Sequence, residues 1–309
     1  MRVYIIIWII LSMGFRAAAQ DKLLVAGSGN PNILLLDKQT GKVEWQHALE
    51  KGEECNAVAL TRKGEILYSY KRGAKLVTWD HQVVWDYKTP DKTELQSATL
   101  LQNGGVLLGI CGVPAQFIEL DKKGKEVNKV TLNLEVERPH SQFRQIFQLR
   151  NSNYLIPVMA KQKVLEVSRK GKIIAEHQIE GKAFSSLELP DENLLLPCGD
   201  NHCYIVIDRK TGEELKRVNA LDIEGVALLF VGQILQLKNG NLLICNWYGH
   251  TKDATVDEPQ LIEIDKNGKV VWSLHDKKNV GKISAACYID NFRLPNLKYE
   301  INFRTKYYE

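Results

Sequence analysis

His140, Gln142 and Arg144 alternate along Arg138-Pro-His-Ser-Gln-Phe-Arg144, a spacing that puts all three on one side of an extended strand. Arg144 can then grip a carboxylate or sulfate through two parallel hydrogen bonds, and His140 can serve as base or nucleophile. A solvated histidine beside an arginine that bridges two structural units fits the same residues. Trp247, in Cys245-Asn-Trp-Tyr-Gly-His250, offers a flat face to a sugar or an aromatic ring, or else packs inside. Cys198-Gly-Asp-Asn-His202 supplies Asp200, a turn former or an acid, together with His202. His140, Arg144, His202 and His250 are therefore the candidate catalytic residues. Asn56, Glu94, Gln96, Gln142, Asp200, Gln233, Asn246 and Trp247 are the candidate ligand contacts, with Glu53 and Glu54 as further acids. No glycine-rich phosphate loop, G-x-S-x-G elbow or H-E-x-x-H helix is present, and no paired Cys/His set has zinc spacing, so neither cofactor nor metal is expected.

These residues recur at one place in a repeat. An apolar strand ends in Asp or Ser (positions 37, 80, 121, 168, 208 and 265), a Lys/Gly turn follows, and a second strand begins. The Asp accepts from turn amides and Gly takes the positive φ, which is hairpin chemistry. A second turn, as at Lys63-Gly64, Asn103-Gly104 and Asn239-Gly240, falls between two more strands in each period of 40 to 57 residues. Two hairpins per period make a four-stranded unit, the signature of an all-β propeller. Six copies predict six four-stranded blades. A seventh, degenerate blade within Glu135 to Ser141 or after Asn291 is the alternative. The repeat starts on its second strand, Leu23 to Ala26, and the missing first strand reads as Ile283 to Ile289, so the N- and C-termini share one blade and close the ring. The loops before the first strand and after the second strand of each blade converge on one mouth.

Arg2, the apolar run Val3 to Met13 and Ala17-Ala-Ala19 have the layout of a secretory signal, with a single-pass anchor as the other possibility. No Cys follows the small residues. The expected division is a signal over 1–19, the propeller over 20–292 and a tail over 293–309, in a periplasmic or secreted protein with no integral membrane domain after cleavage. Forty-one Lys+Arg against 37 Asp+Glu give a net charge of only +4 without long runs of one sign, so nucleic acid is not an expected partner. Cys55, Cys111, Cys198, Cys203, Cys245 and Cys287 are scattered, which suits buried thiols; only Cys198 and Cys203 are placed to meet across a hairpin.

Asp37-Lys-Gln-Thr-Gly41-Lys-Val-Glu-Trp45 resembles the tryptophan-docking repeat of the pyrroloquinoline-quinone-like (PQQ-like) propellers. Asp208 to Gly212 and Asp265 to Trp272 match it more loosely. The resemblance implies that Trp45 and Trp272 stack between blades. It does not extend to a bound quinone, because the quinone dehydrogenases carry eight blades and an adjacent cysteine pair, which this sequence lacks. Overall the chain is similar to exported bacterial propellers with such repeats. The expected function is a ligand-binding module whose central polar mouth takes a glycan, a small aromatic or a protein partner. The alternative is a periplasmic enzyme using His and Arg at the mouth. One form of it is sulfate transfer like that of the arylsulfate sulfotransferases, which are also six-bladed exported propellers; the other is a polysaccharide lyase or glycosidase.

Overall fold

The computed structural model describes residues 20–251 and 257–292. The proposed signal and tail lie outside them. The described chain forms six four-stranded antiparallel sheets and almost no helix, the expected six-bladed β-propeller. From inner to outer strand, blade one is Ala285–Phe292, Gln20–Ala26, Asn32–Asp37 and Val43–Ala48. The inner strands of blades two to six are Ala57–Leu60, Glu94–Leu100, Phe147–Gln148, Leu187–Glu188 and Phe230–Gln236. The chain therefore closes by pairing its last described strand with its first, Cys287 opposite Leu24 and Ala285 opposite Ala26. Glu135 to Ser141 holds a short 3-10 turn and no extra blade.

Middle strands are covered on both faces by neighbouring blades, so they are continuously apolar, as in Leu34-Leu-Leu36 and Leu194-Leu-Leu196. Outer strands alternate half-buried and exposed residues, as along Val43–Ala48. Two inner strands are shorter than the sequence suggests. The regular ladder is confined to Phe147–Gln148 and Leu187–Glu188; the Gln145 amide turns to the Phe184 carbonyl of the next blade (3.2 Å), while the Phe184 amide keeps one bond to the Pro197 carbonyl of its own blade (3.0 Å).

The Asp turns behave as hairpin chemistry requires. Asp121 Oδ1 accepts from the amides of Lys123 and Lys125, and Asp265 Oδ1 from those of Asn267 and Lys269. Blade two has no Gly at this position, and His81 takes the positive φ (69°) instead.

The turns of blades one, two, four and five also dock the preceding blade. Trp45 Nε1 donates to the Trp79 carbonyl of blade two (2.8 Å), and the indole stacks on His81. Trp272 of blade six lies under the Lys38 ammonium of blade one, 3.6 Å from the ring centroid. Both tryptophans thus pack between blades, as expected. Where blade three lacks the Trp, Asn128 Nδ2 donates to the Arg169 carbonyl (2.9 Å). A cation after the Asp or Ser then reaches back to a buried glutamate: Lys38 to Glu263, Arg169 to Glu119, and Arg209 to Glu166.

Closure needs close backbone approach. A Cβ on Gly27 would sit 2.5 Å from the Lys282 carbonyl oxygen and 2.8 Å from the Ser284 nitrogen. Gly27→Ala is therefore expected to destabilise the ring by about 1–3 kcal/mol, read as a lower urea midpoint.

Burial alone would raise the Glu166 carboxyl, but hydrogen bonds from Arg209, Asn153 and Asn151 outweigh it and hold Glu166 at about 2. For Asp37, burial is outweighed by Lys22 and Thr40, with the same result of about 2. Both folded values lie below the ordinary 3.8 and 4.5, so this stabilisation is complete above those values and is lost as pH falls toward 2. The melting temperature should stay level above about pH 5 and drop below about pH 4, less steeply in Glu166→Gln.

Candidate functional site

The loops before the inner strands and after the second strands surround a cavity of about 430 Å³ on the propeller axis. Its wall includes Glu54, Asn56, His140, Arg144, Asp200, Trp247 and His250, all from the segments singled out in the sequence. A narrower cavity of about 170 Å³ opens at the opposite end, past Leu60 and Leu101, and is mainly aliphatic apart from residues such as Arg62 and Gln148. The first is the candidate site, because charged groups gather there.

His140 does not lie on an extended strand. Pro139 starts a 3-10 turn, Pro139–Ser141, between the outer strand of blade three and the inner strand of blade four. The turn folds His140 back over Arg144. Arg144 Nη1 donates to the carbonyls of His140 (2.7 Å) and Phe143 (3.1 Å), and Nη2 meets His140 Nε2 at 2.9 Å. A guanidinium only donates, so His140 Nε2 is the acceptor. The proton of the neutral ring then sits on Nδ1, which donates to Glu94 Oε2 at 2.8 Å. Burial lowers Arg144 from its ordinary value, with Glu54 and Glu94 opposing that shift. Arg144 is only 8% exposed and, among the described residues, forms no ion pair within salt-bridge distance.

Glu94 is placed by the inner strand of blade three. Burial would raise its carboxyl, but His140 and Gln96 lower it further. A bulge between Leu95 and Ser97 frees Gln96 to donate to Glu94 (2.7 Å) and to accept from Asn56 Nδ2 (2.8 Å). Asn56, Gln96, Glu94, His140 and Arg144 thus form one hydrogen-bonded chain across three blades. On the opposite wall His250 Nδ1 meets Asp200 Oδ1 at 2.8 Å, pairing loops of blades five and six.

The remaining predicted residues stand elsewhere. His202, at a positive φ of 55°, turns to the Leu229 carbonyl and does not line the cavity. Gln142 faces away from His140, clasping the Gly112 carbonyl (2.7 Å) and the Val136 carbonyl (2.8 Å), because the 3-10 turn breaks the expected alternation. Asn246 spans the Leu229 amide and the Ala227 and Pro259 carbonyls. Gln233 accepts from the Ala286 amide and lines the opposite cavity. Trp247 is at the mouth, but its faces are covered. The ring is 8% exposed, lies edge-on to Phe230 and His250, leaves no room for a Cβ at Gly249, and donates Nε1 to the Ser28 carbonyl (2.9 Å).

Sequence reasoning missed Ser28, Met159, Lys182 and Ser284 in the wall. Their repeat position was the available signal: Ser28 and Met159 follow second strands, while Lys182 and Ser284 precede inner ones. Among the described residues no cluster of three or more His, Cys, Asp or Glu can hold a metal, and no helix is long and apolar enough to cross a membrane.

A protein of unknown function from Bacteroides caccae has 43% sequence identity and a TM-score of 0.84, over 87% of this chain and 98% of its own. A streptogramin B lyase shares 11% identity (TM-score 0.59; 86% and 91% of the two chains). A virginiamycin B lyase from Staphylococcus aureus, a catalytically inactive histidine-to-alanine form with quinupristin, shares 14% (TM-score 0.55; 86% and 78%). At these identities the likeness to the lyases is one of fold. No curated protein matches the chain. The family described as Mal s 1 allergenic protein-like matches residues 29–269, and on that match the chain belongs to this family.

Proposed function

We propose that the mouth binds a small organic anion and that the protein works as an exported ligand-binding propeller. The observation that carries this reading is Arg144, a buried cation on the cavity wall held by two carbonyls and a neutral imidazole. A buried charge without a counter-ion is costly, and an incoming carboxylate or sulfate offsets that cost. Lys182 adds a second cation to the wall, and Ser28, Ser141 and Ser284 add hydroxyls. Glu54 also lines the cavity and disfavours highly charged anions. The aromatic edges of Phe184, Phe230 and Trp247 give the ligand an apolar contact, although not an open stacking platform. We read the Asp-turn-Trp phrase as a blade-docking device, as in the PQQ-like propellers.

A second reading, acid–base catalysis, is favoured by two histidines that line one cavity, each held by a carboxylate. His250 is the better base, since Asp200 orients Nδ1 and leaves Nε2 for a substrate proton. His140 is the poorer nucleophile for sulfate transfer, because Arg144 occupies its Nε2 lone pair.

Calorimetry against aromatic and aliphatic carboxylates, sulfates and neutral oligosaccharides tests the main reading. A bound anion should be lost by about tenfold or more in Arg144→Ala and held more tightly in Glu54→Gln. Binding of neutral sugars alone, or an Arg144→Ala protein that folds and binds anions unchanged, overturns it. For the second reading, aryl sulfates and acidic polysaccharides are incubated with the protein and the products read by mass spectrometry. Turnover should disappear in His250→Asn.

A further inference from the structure

Cys198 and Cys203 face each other at the end of a hairpin. The register that pairs Pro197 with Tyr204 continues one step to these cysteines, and the Cys198 amide donates to the Cys203 carbonyl at 2.9 Å. Directly opposed residues of an antiparallel pair have Cα atoms about 4.5–5.5 Å apart, within the range a disulfide spans. The Cys198 thiol donates to the Leu196 carbonyl at 3.3 Å. The other four thiols lie against backbone groups of Ala57, Phe143, Gln233 and Leu60 without a cysteine opposite in the register.

The surroundings distinguish the two sulfurs. Arg217 Nη1 lies 3.5 Å from Cys203 Sγ. The neighbouring Cys198, opposed by burial and joined by Arg217, draws the Cys203 thiol downward. The neighbouring Cys203 and burial push Cys198 upward. A thiol eased toward its thiolate beside a second thiol is the starting arrangement for thiol–disulfide exchange.

We propose that Cys198 and Cys203 are a disulfide-forming site, oxidised by exchange with a small-molecule disulfide, and that the bond staples the loop carrying Asp200. The Cys203 thiolate attacks one sulfur of the oxidant, breaks its S–S bond, forms a mixed disulfide and releases one thiolate. Cys198 gives up its proton and attacks Cys203 Sγ, so the protein S–S bond forms and the second oxidant thiolate leaves. The two cysteines lose two electrons and the oxidant gains them. Both cysteines are closed to solvent (0% and 1% exposed), so oxidation and reduction alike pass through brief opening of the hairpin end. The four residues between them, Gly199 to His202, include Asp200, whose carboxylate holds His250 at the mouth.

The experiment is incubation of the folded full chain with oxidised glutathione, alkylation of the remaining thiols, and tryptic mass mapping. One peptide, Ala183 to Arg209, carries both cysteines. The expected result is that this peptide becomes lighter by two hydrogen atoms and escapes alkylation, while the other four cysteines are alkylated after denaturation. The thermal midpoint of the oxidised protein should rise and return with dithiothreitol, and the Cys198→Ser/Cys203→Ser variant should show no such response. Full alkylation of both cysteines, or a linkage to any other cysteine, overturns the proposal. The mass readout needs no ligand, so it stands or falls separately from anion binding, which Arg144→Ala reports.

Discussion

Ring closure by the last described strand is the constraint on which the rest depends. Ala285–Phe292 supplies the inner strand of the blade whose other strands begin at Gln20. Inner strands line the axis, so without this pairing blade one has no axial strand and the ring has a gap. The fit is tight on both sides of Ser284. Gly27 abuts its backbone from blade one, and Gly232 from blade six, where a Cβ would lie 2.8 Å from the Ser284 carbonyl oxygen. Neither position has room for a side chain, which ties two glycines in separate parts of the sequence to one joint.

The seams between blades solve a related problem. Each blade is a twisted sheet whose faces must be covered, and the Asp turn of one blade does part of the covering for its neighbour. The indole of Trp45, the amide of Asn128 and the imidazole of His177 all end on backbone carbonyls next to such a turn. Three chemically different side chains thus perform the same docking. The reach from turn cation to buried glutamate adds a charged latch at three of the seams. Isolated ion pairs of this kind add little net stability, but removing one partner strands a buried charge, so the latches favour one seating of each blade over slipped ones.

The architecture was legible because its signal is redundant. Six Asp-turn copies, five further turns and a missing first strand all agree on one count. The site was legible only in part. Repeat position found the segments that form the mouth, so His140, Arg144, Asp200 and His250 meet there. Side-chain direction could not be found in that way. It is set by local irregularities: the 3-10 turn after Arg138 separates Gln142 from His140, the bulge at Gln96 turns an amide toward Asn56, and the left-handed conformation of His202 swings its ring to Leu229. Such departures arise from a single proline or one inserted residue, and a periodic pattern does not record them. Buried polar clamps such as Asn246 are a second reason. An amide that satisfies three backbone groups occupies the same repeat position as one that meets a ligand.

The bond from the Trp247 indole to the Ser28 carbonyl joins residues 219 apart in the chain. It crosses the same joint that the closing strand completes, beside Ser284. A nascent polypeptide still held on the ribosome before residue 285 therefore owns most of its blades but not a closed ring. The cavity that needs Ser28, Trp247 and Ser284 together is thus assembled only once synthesis has passed the last described strand.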